Sequence, residues 1–123
     1  MIKLTFCACR RDDVSEEEFH DYWLNKHGPL VKSVADVLRI HKYVQSHAID
    51  TPANDALASV RGAPARLDGI AELWFKEEDF NAIGENAEGE AAAKLLIEDE
   101  AKFIDFSRSP LWFNQEHVIL DRG

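Results

Sequence analysis

A chain of 123 residues fits a single domain. Hydrophobic side chains make up 46% of it, enough for a packed core without disulfide staples. The net charge of −9 excludes the basic surface that nucleic acid or an anionic membrane demands. The excess charge is local: residues 72–105 hold 11 Asp and Glu against 3 Lys. That segment is expected to show its acids to water, leaving a functional site to the nearly neutral remainder. No apolar run approaches the roughly 20 residues that cross a bilayer, and no signal-peptide core opens the chain, so a cytoplasmic protein is expected.

Residues 2–10 alternate as a strand, with Ile2, Leu4, Phe6 and Ala8 on one face. Cys7 and Cys9, two apart on the other, are too poorly placed to bridge each other. Ser15-x-x-Glu18 forms a capping box, opening a helix whose stripe carries Phe19, Tyr22, Trp23, Lys26, His27, Leu30, Val31 and Val34. Gly28-Pro29 interrupts it, because proline has no amide hydrogen and crowds the preceding turn, and a kink or break is expected there. Residues 38–48 read as a second strand whose odd positions, His41, Tyr43, Gln45 and His47, are rich in hydrogen-bonding groups. Residues 50–66 read as a long loop with at most one short helical turn. Residues 68–75 are apolar at both parities, as in a central strand. A second helical region follows from Glu77, weakened by Gly84 and Gly89, with its better part over 91–104. Residues 111–120 close the chain as the last strand.

The order, strand-helix-strand-strand-helix-strand, predicts an α+β, ferredoxin-like domain spanning 1–123: a four-stranded antiparallel sheet with helices on one face. Bulky apolar groups stand at both parities, Ile70 and Trp74 against Leu73 and Phe75, Trp112 and Val118 against Leu111 and Phe113. The face away from the helices therefore needs a cover, and the simplest is a second copy in a twofold homodimer.

His27 is the leading candidate for chemistry. It sits on the apolar stripe one turn after Trp23, and a neutral imidazole both gives and takes a proton near neutral pH. Its alternative role is to cap carbonyls freed at the break. The odd face of 38–48 either lines a pocket or forms a polar patch at a dimer interface; parity alone does not choose. Asp68 and Glu72 are candidate carboxylates, or members of surface ion pairs. There is no glycine-rich phosphate loop, no nucleophile elbow and no metal-ligand spacing, so neither a cofactor nor a metal is expected.

Three motifs carry a resemblance. Phe19-x-x-Tyr22-Trp23-x-x-x-His27-Gly28-Pro29-Leu30 resembles the signature of EthD-domain proteins. Tyr43-Val44-Gln45-Ser46-His47 and Asp68-Gly69-x-Ala71-Glu72-Leu73-Trp74-Phe75 resemble that family's second and third motifs, in the same order. The resemblance implies a dimeric α/β barrel of two ferredoxin-like subunits. The family takes its name from a protein needed for ethyl tert-butyl ether degradation. Related members are dehydratases or decarboxylases of aromatic polyketides, a similar relative isomerises a methyl-substituted lactone, and monooxygenases share the fold more distantly. In such relatives the histidine of the first motif is the usual acid or base, which here is His27.

The expectation that follows is a cofactor-independent enzyme, a lyase or isomerase rather than an oxidoreductase, acting on a small, mostly apolar cyclic compound. His27 would move the proton. Tyr22, Trp23, Tyr43, Gln45, His47, Glu72 and Trp74 would bind substrate, the tryptophans as apolar walls. The competing reading is a non-catalytic small-molecule binder or an accessory to an oxygenase system, with the acidic segment as its docking surface.

Overall fold

The computed structural model describes residues 1–82 and 85–123. Strand β1 (Ile2–Ala8) lies at the centre of the sheet beside β3 (Gly69–Phe75). The edges are β2 (Lys42–His47) and β4 (Leu111–Gln115), giving the order β2-β3-β1-β4 with every pairing antiparallel. This is the ferredoxin-like arrangement that the element order predicts.

Helix α1 (Glu16–Tyr22) starts as its sequence dictates. Ser15 Oγ accepts from the Glu18 amide at 3.1 Å, and Glu18 Oε1 accepts from the Ser15 amide at 3.2 Å. The interruption at Gly28-Pro29 is not a break. A π-helical turn over Trp23–His27 runs directly into α2 (Gly28–Val34), with the Gly28 amide donating to the Trp23 carbonyl five residues back. A wider turn accommodates the ring of Pro29 while helical direction is kept. Gln45 Nε2 also donates to the Trp23 carbonyl, at 2.8 Å, anchoring the turn to β2.

Residues 50–66 contain more structure than expected. Thr51 caps, and Pro52 opens, the eight-residue helix α3 (Pro52–Ser59), in which no residue is buried. Helix α4 (Glu77–Asn81) is short; Asn86 then caps α5 (Ala87–Glu100). Gly89 lies in the first turn of α5 and does not weaken a middle. Gly84 lies outside the described residues. A single 3-10 turn, Phe106–Arg108, precedes β4. Two strands are shorter than their patterns suggest. Arg39 takes a left-handed conformation at φ 58° and ends the turn before β2. After Gln115 the chain leaves the sheet, so Val118 stands exposed outside β4.

Strand alternation divides the sheet into two faces. The pairings place Leu4, Phe6, Ala8, Tyr43, Gln45, His47, Ala71, Leu73, Phe75, Leu111 and Phe113 together on the face toward the helices. The core forms there, from Phe6, Ala8, Phe19, Trp23, Ala71, Phe103 and Ile104. The open face carries Lys3, Thr5, Cys7, Lys42, Val44, Ser46, Ile70, Glu72, Trp74, Trp112 and Asn114.

Candidate functional site

A cavity of about 270 Å³ lies between the sheet and the helices. Its walls are overwhelmingly apolar, from Leu4, Phe6 and Leu73 of the sheet, Trp23 and Val31 of the helical arm, and Leu96 and Ile97 of α5. Ile97, Leu111 and Phe113 line it and are about half exposed, marking its mouth between α5 and β4. The ionisable groups on its wall, among the described residues, are His27, Tyr43 and Glu100.

His27 is 4% exposed and held by a chain of hydrogen bonds. Its Nδ1 lies 2.8 Å from Asp99 Oδ2. Asp99 Oδ1 accepts from the Tyr22 hydroxyl at 2.5 Å and faces Lys102 Nζ at 3.3 Å. Burial pushes the Asp99 carboxyl up, but hydrogen bonds from Tyr22, His27 and Lys102 outweigh it and hold the group below its ordinary value. An ionised Asp99 fixes the proton of neutral His27 on Nδ1 and leaves Nε2 as the basic atom. Burial lowers the His27 pKa, with Asp99 opposing, so the neutral ring is the resting form at pH 7.

Glu100 stands on the other side of Nε2. Its Oε2 is 4.0 Å from that nitrogen, and its side chain is 16% exposed. Burial, and behind it the charge of Asp99, pushes its carboxyl up to about 7. Among the described residues no Lys or Arg pairs with it. The neighbouring acids of α5 thus have opposite environments: Asp99 is surrounded by donors and charged, Glu100 has none and holds its proton to neutral pH.

Tyr43 completes the polar wall. Its hydroxyl accepts from Gln45 Nε2 at 2.8 Å, and burial raises its pKa, so it remains a neutral phenol. Behind it, Gln45 Oε1 meets His47 Nε2 at 2.7 Å, and the His47 ring stacks on Trp23 with centroids 4.5 Å apart and planes at 14°. Trp23 also lies over the backbone of Gly69; a Cβ there would approach its ring to 2.6 Å, so glycine is needed for this contact.

Of the residues expected at the site, His27, Trp23 and Tyr43 line the cavity. The odd face of β2 is the helix-facing one. Gln45 and His47 nevertheless stand behind the wall, bracing Tyr43 and Trp23. Tyr22 serves Asp99 and does not reach the cavity. Glu72 and Trp74 require correction, because alternation along β3 turns Ala71, Leu73 and Phe75 toward the helices and these two away. Glu72 pairs with Lys3 at 2.8 Å, and Trp74 lies beneath Lys42, whose Nζ is 4.8 Å from the ring centroid, and donates to Glu116. Asp68 is likewise structural, accepting from the Arg10 amide at 2.8 Å.

Glu100 was missed, and with it the contribution of the acidic segment. Asp99 stands on an otherwise apolar stripe with Ala92, Leu96 and Phe103, and a carboxylate there was the available signal. Glu100, one position on, carries none that separates it from the solvated acids around it.

The EthD domain model matches residues 11–107. An ethyl tert-butyl ether (EthD) family protein from Bacillus halodurans C-125 is similar in structure, with TM-score 0.61 and 18% identity over 95% of this chain and 99% of that one. A dimeric protein of unknown function and ferredoxin-like fold from Bacteroides fragilis aligns with TM-score 0.55 and 14% identity, covering 94% and 95% of the two chains. HapK from Hahella chejuensis aligns over the full length of both chains with TM-score 0.55 and 11% identity. At these identities the likeness is one of fold. No curated protein matches the chain.

Proposed function

The chain belongs to the EthD domain family, and on that premise we propose that it is an enzyme that moves a proton on a small, largely apolar cyclic compound, using its own side chains as acid and base. The observation that carries this reading is the Asp99–His27 pair at the wall of an apolar cavity. A histidine whose Nδ1 proton is held by a carboxylate presents a basic Nε2 to whatever occupies the cavity. The charge of Asp99 stabilises the imidazolium that forms when a proton is taken. The apolar walls suit rings, and Tyr43 offers a neutral hydroxyl to a carbonyl or hydroxyl oxygen. Dehydration, decarboxylation and isomerisation next to a carbonyl all pass through such a transfer.

A homodimer belongs to the same proposal. Ile70 and Trp112 stand exposed on the open face of the sheet, which a second copy would cover. Light scattering should give twice the mass of 14.0 kDa; a monomer at micromolar concentration overturns the dimer.

The reaction is tested in two steps. A thermal-shift screen of phenols, lactones and aromatic ketones identifies compounds that stabilise the folded chain. Hits are then incubated in D₂O and followed by NMR for deuterium entering carbon next to the carbonyl. Catalysed exchange that vanishes in His27→Ala, while binding persists, is the expected result. Stabilisation without exchange by any hit identifies a binder instead.

A further inference from the structure

We propose that Glu100 is the second proton-transferring group of this site, delivering a proton to the carbonyl oxygen of an uncharged cyclic substrate while His27 Nε2 removes one from the adjacent carbon. The inference rests on the proton-transfer reading above and deepens it by naming a second catalytic residue and the substrate's charge class.

The geometry comes first. Oε2 of Glu100 and Nε2 of His27 are 4.0 Å apart, and both side chains line the cavity. A carbonyl oxygen and its neighbouring carbon are separated by about 2.4 Å, so one ligand can meet the carboxyl with the first and the imidazole with the second. Glu100 lies in a closed environment, unpaired with any cation among the described residues.

The charges follow. The groups facing Glu100 are His27 from the π turn, Tyr43 from β2 and Asp99 from its own helix; Tyr22 and Lys102 act at one remove, through Asp99. Burial and the fixed negative charge of Asp99 both favour the protonated carboxyl, which a donor to substrate must be. A substrate carboxylate would enter a cavity that has two acids beside it and no Lys or Arg on its wall. An uncharged ketone, lactone or phenol meets no such penalty.

The step balances without a further reagent. Nε2 takes the proton from carbon, and the C–H electron pair forms the carbon–carbon double bond of the enol. The carbonyl π pair moves to oxygen, which takes the Glu100 proton. The site then holds imidazolium and carboxylate as a close ion pair. Reversal at the same carbon is exchange; return of the proton to a different carbon is isomerisation.

The test uses 2-tetralone, an uncharged two-ring ketone, and 2-naphthoate, an anion of similar size. Wild-type protein should exchange the protons next to the carbonyl of 2-tetralone, with a rate that falls as pH rises through about 7, where Glu100 loses its proton. Glu100→Gln, equal in shape, should lose about 10²-fold or more in exchange and lose that alkaline fall. Its thermal stability at pH 8 should match or exceed the wild type, separating lost chemistry from lost folding. Binding of 2-naphthoate should be at least tenfold weaker than that of 2-tetralone in the wild type, and the gap should narrow in Glu100→Gln. Wild-type exchange that survives Glu100→Gln with its alkaline fall intact overturns the role of Glu100 alone, as does equal binding of the two probes. Absence of exchange in the wild type overturns the reading on which it rests.

Discussion

The two faces of the sheet use charge in opposite ways. On the open face, Lys3 lies between Glu72 and Glu116 at 2.8 and 3.6 Å, and Lys3 and Lys42 approach the Trp74 ring. Each charge there has partners and access to water, and the arrangement can relax if one is lost. On the helix-facing side, Glu100 has neither cation nor water in quantity, and His27 is closed from solvent. The same alternation of a single set of strands therefore produces a balanced surface and an unbalanced interior. The unbalanced side stores protonation states that water would not permit, which is where acid and base work concentrates.

This contrast can be broken from either side. The largest effect is expected from His27→Ala, a loss of about 10²–10⁴-fold in proton exchange with the fold retained; near-unchanged activity would remove His27 from the chemistry. Next is the stability of Glu100→Gln. The folded pKa of Glu100, about 7, lies above its ordinary 4.5, so its contribution to stability is complete below pH 4.5 and is lost as pH rises through 7. The glutamine variant should gain up to roughly 3 kcal/mol over the wild type at pH 8 and nothing at pH 4. Urea unfolding at the two pH values measures this, and an equal difference at both would contradict it. Asp99→Asn should then shift the rate profile. Without the carboxylate, both His27 and Glu100 lose an influence that raises their pKa values, so both limbs should move to lower pH. The smallest effect belongs to the open face. Lys3→Met should change stability by about 1 kcal/mol or less and leave exchange untouched, as partly exposed ion pairs contribute little.

Much of the fold was legible because local rules agree with one another. The capping box at Ser15, the apolar stripe through Phe19 and Trp23, and the alternation of β1 each read the same way alone and in place. His27 was legible as a polar residue on an apolar stripe. The face of β2 was not, since both parities mix polar and apolar groups; its choice depends on Gln45 reaching the Trp23 carbonyl, a contact 22 residues distant. Glu72 and Trp74 fell on the wrong side for a related reason. Alternation tells which residues share a face but not which face the helices take. Helix α3 was announced by Thr51-Pro52, yet its weak apolar content hid it. Glu100 illustrates the harder limit: a buried acid and an exposed one look alike until the distant residues around them are known.

The π turn over Trp23–His27 makes the site a matter of counting. Such a turn holds one residue more than the α-helical path over the same rise. Deleting one residue among 24–26 would let the helix close into regular geometry, with caps, core composition and net charge nearly unaltered. Yet each helical residue subtends about 100°, so His27 and all of α2 would be re-phased against Tyr22 and Asp99 by that angle. Chain length in this short stretch, more than the chemistry of the three residues filling it, decides whether the imidazole meets its carboxylates. Substitutions there should be tolerated where a single-residue deletion is not.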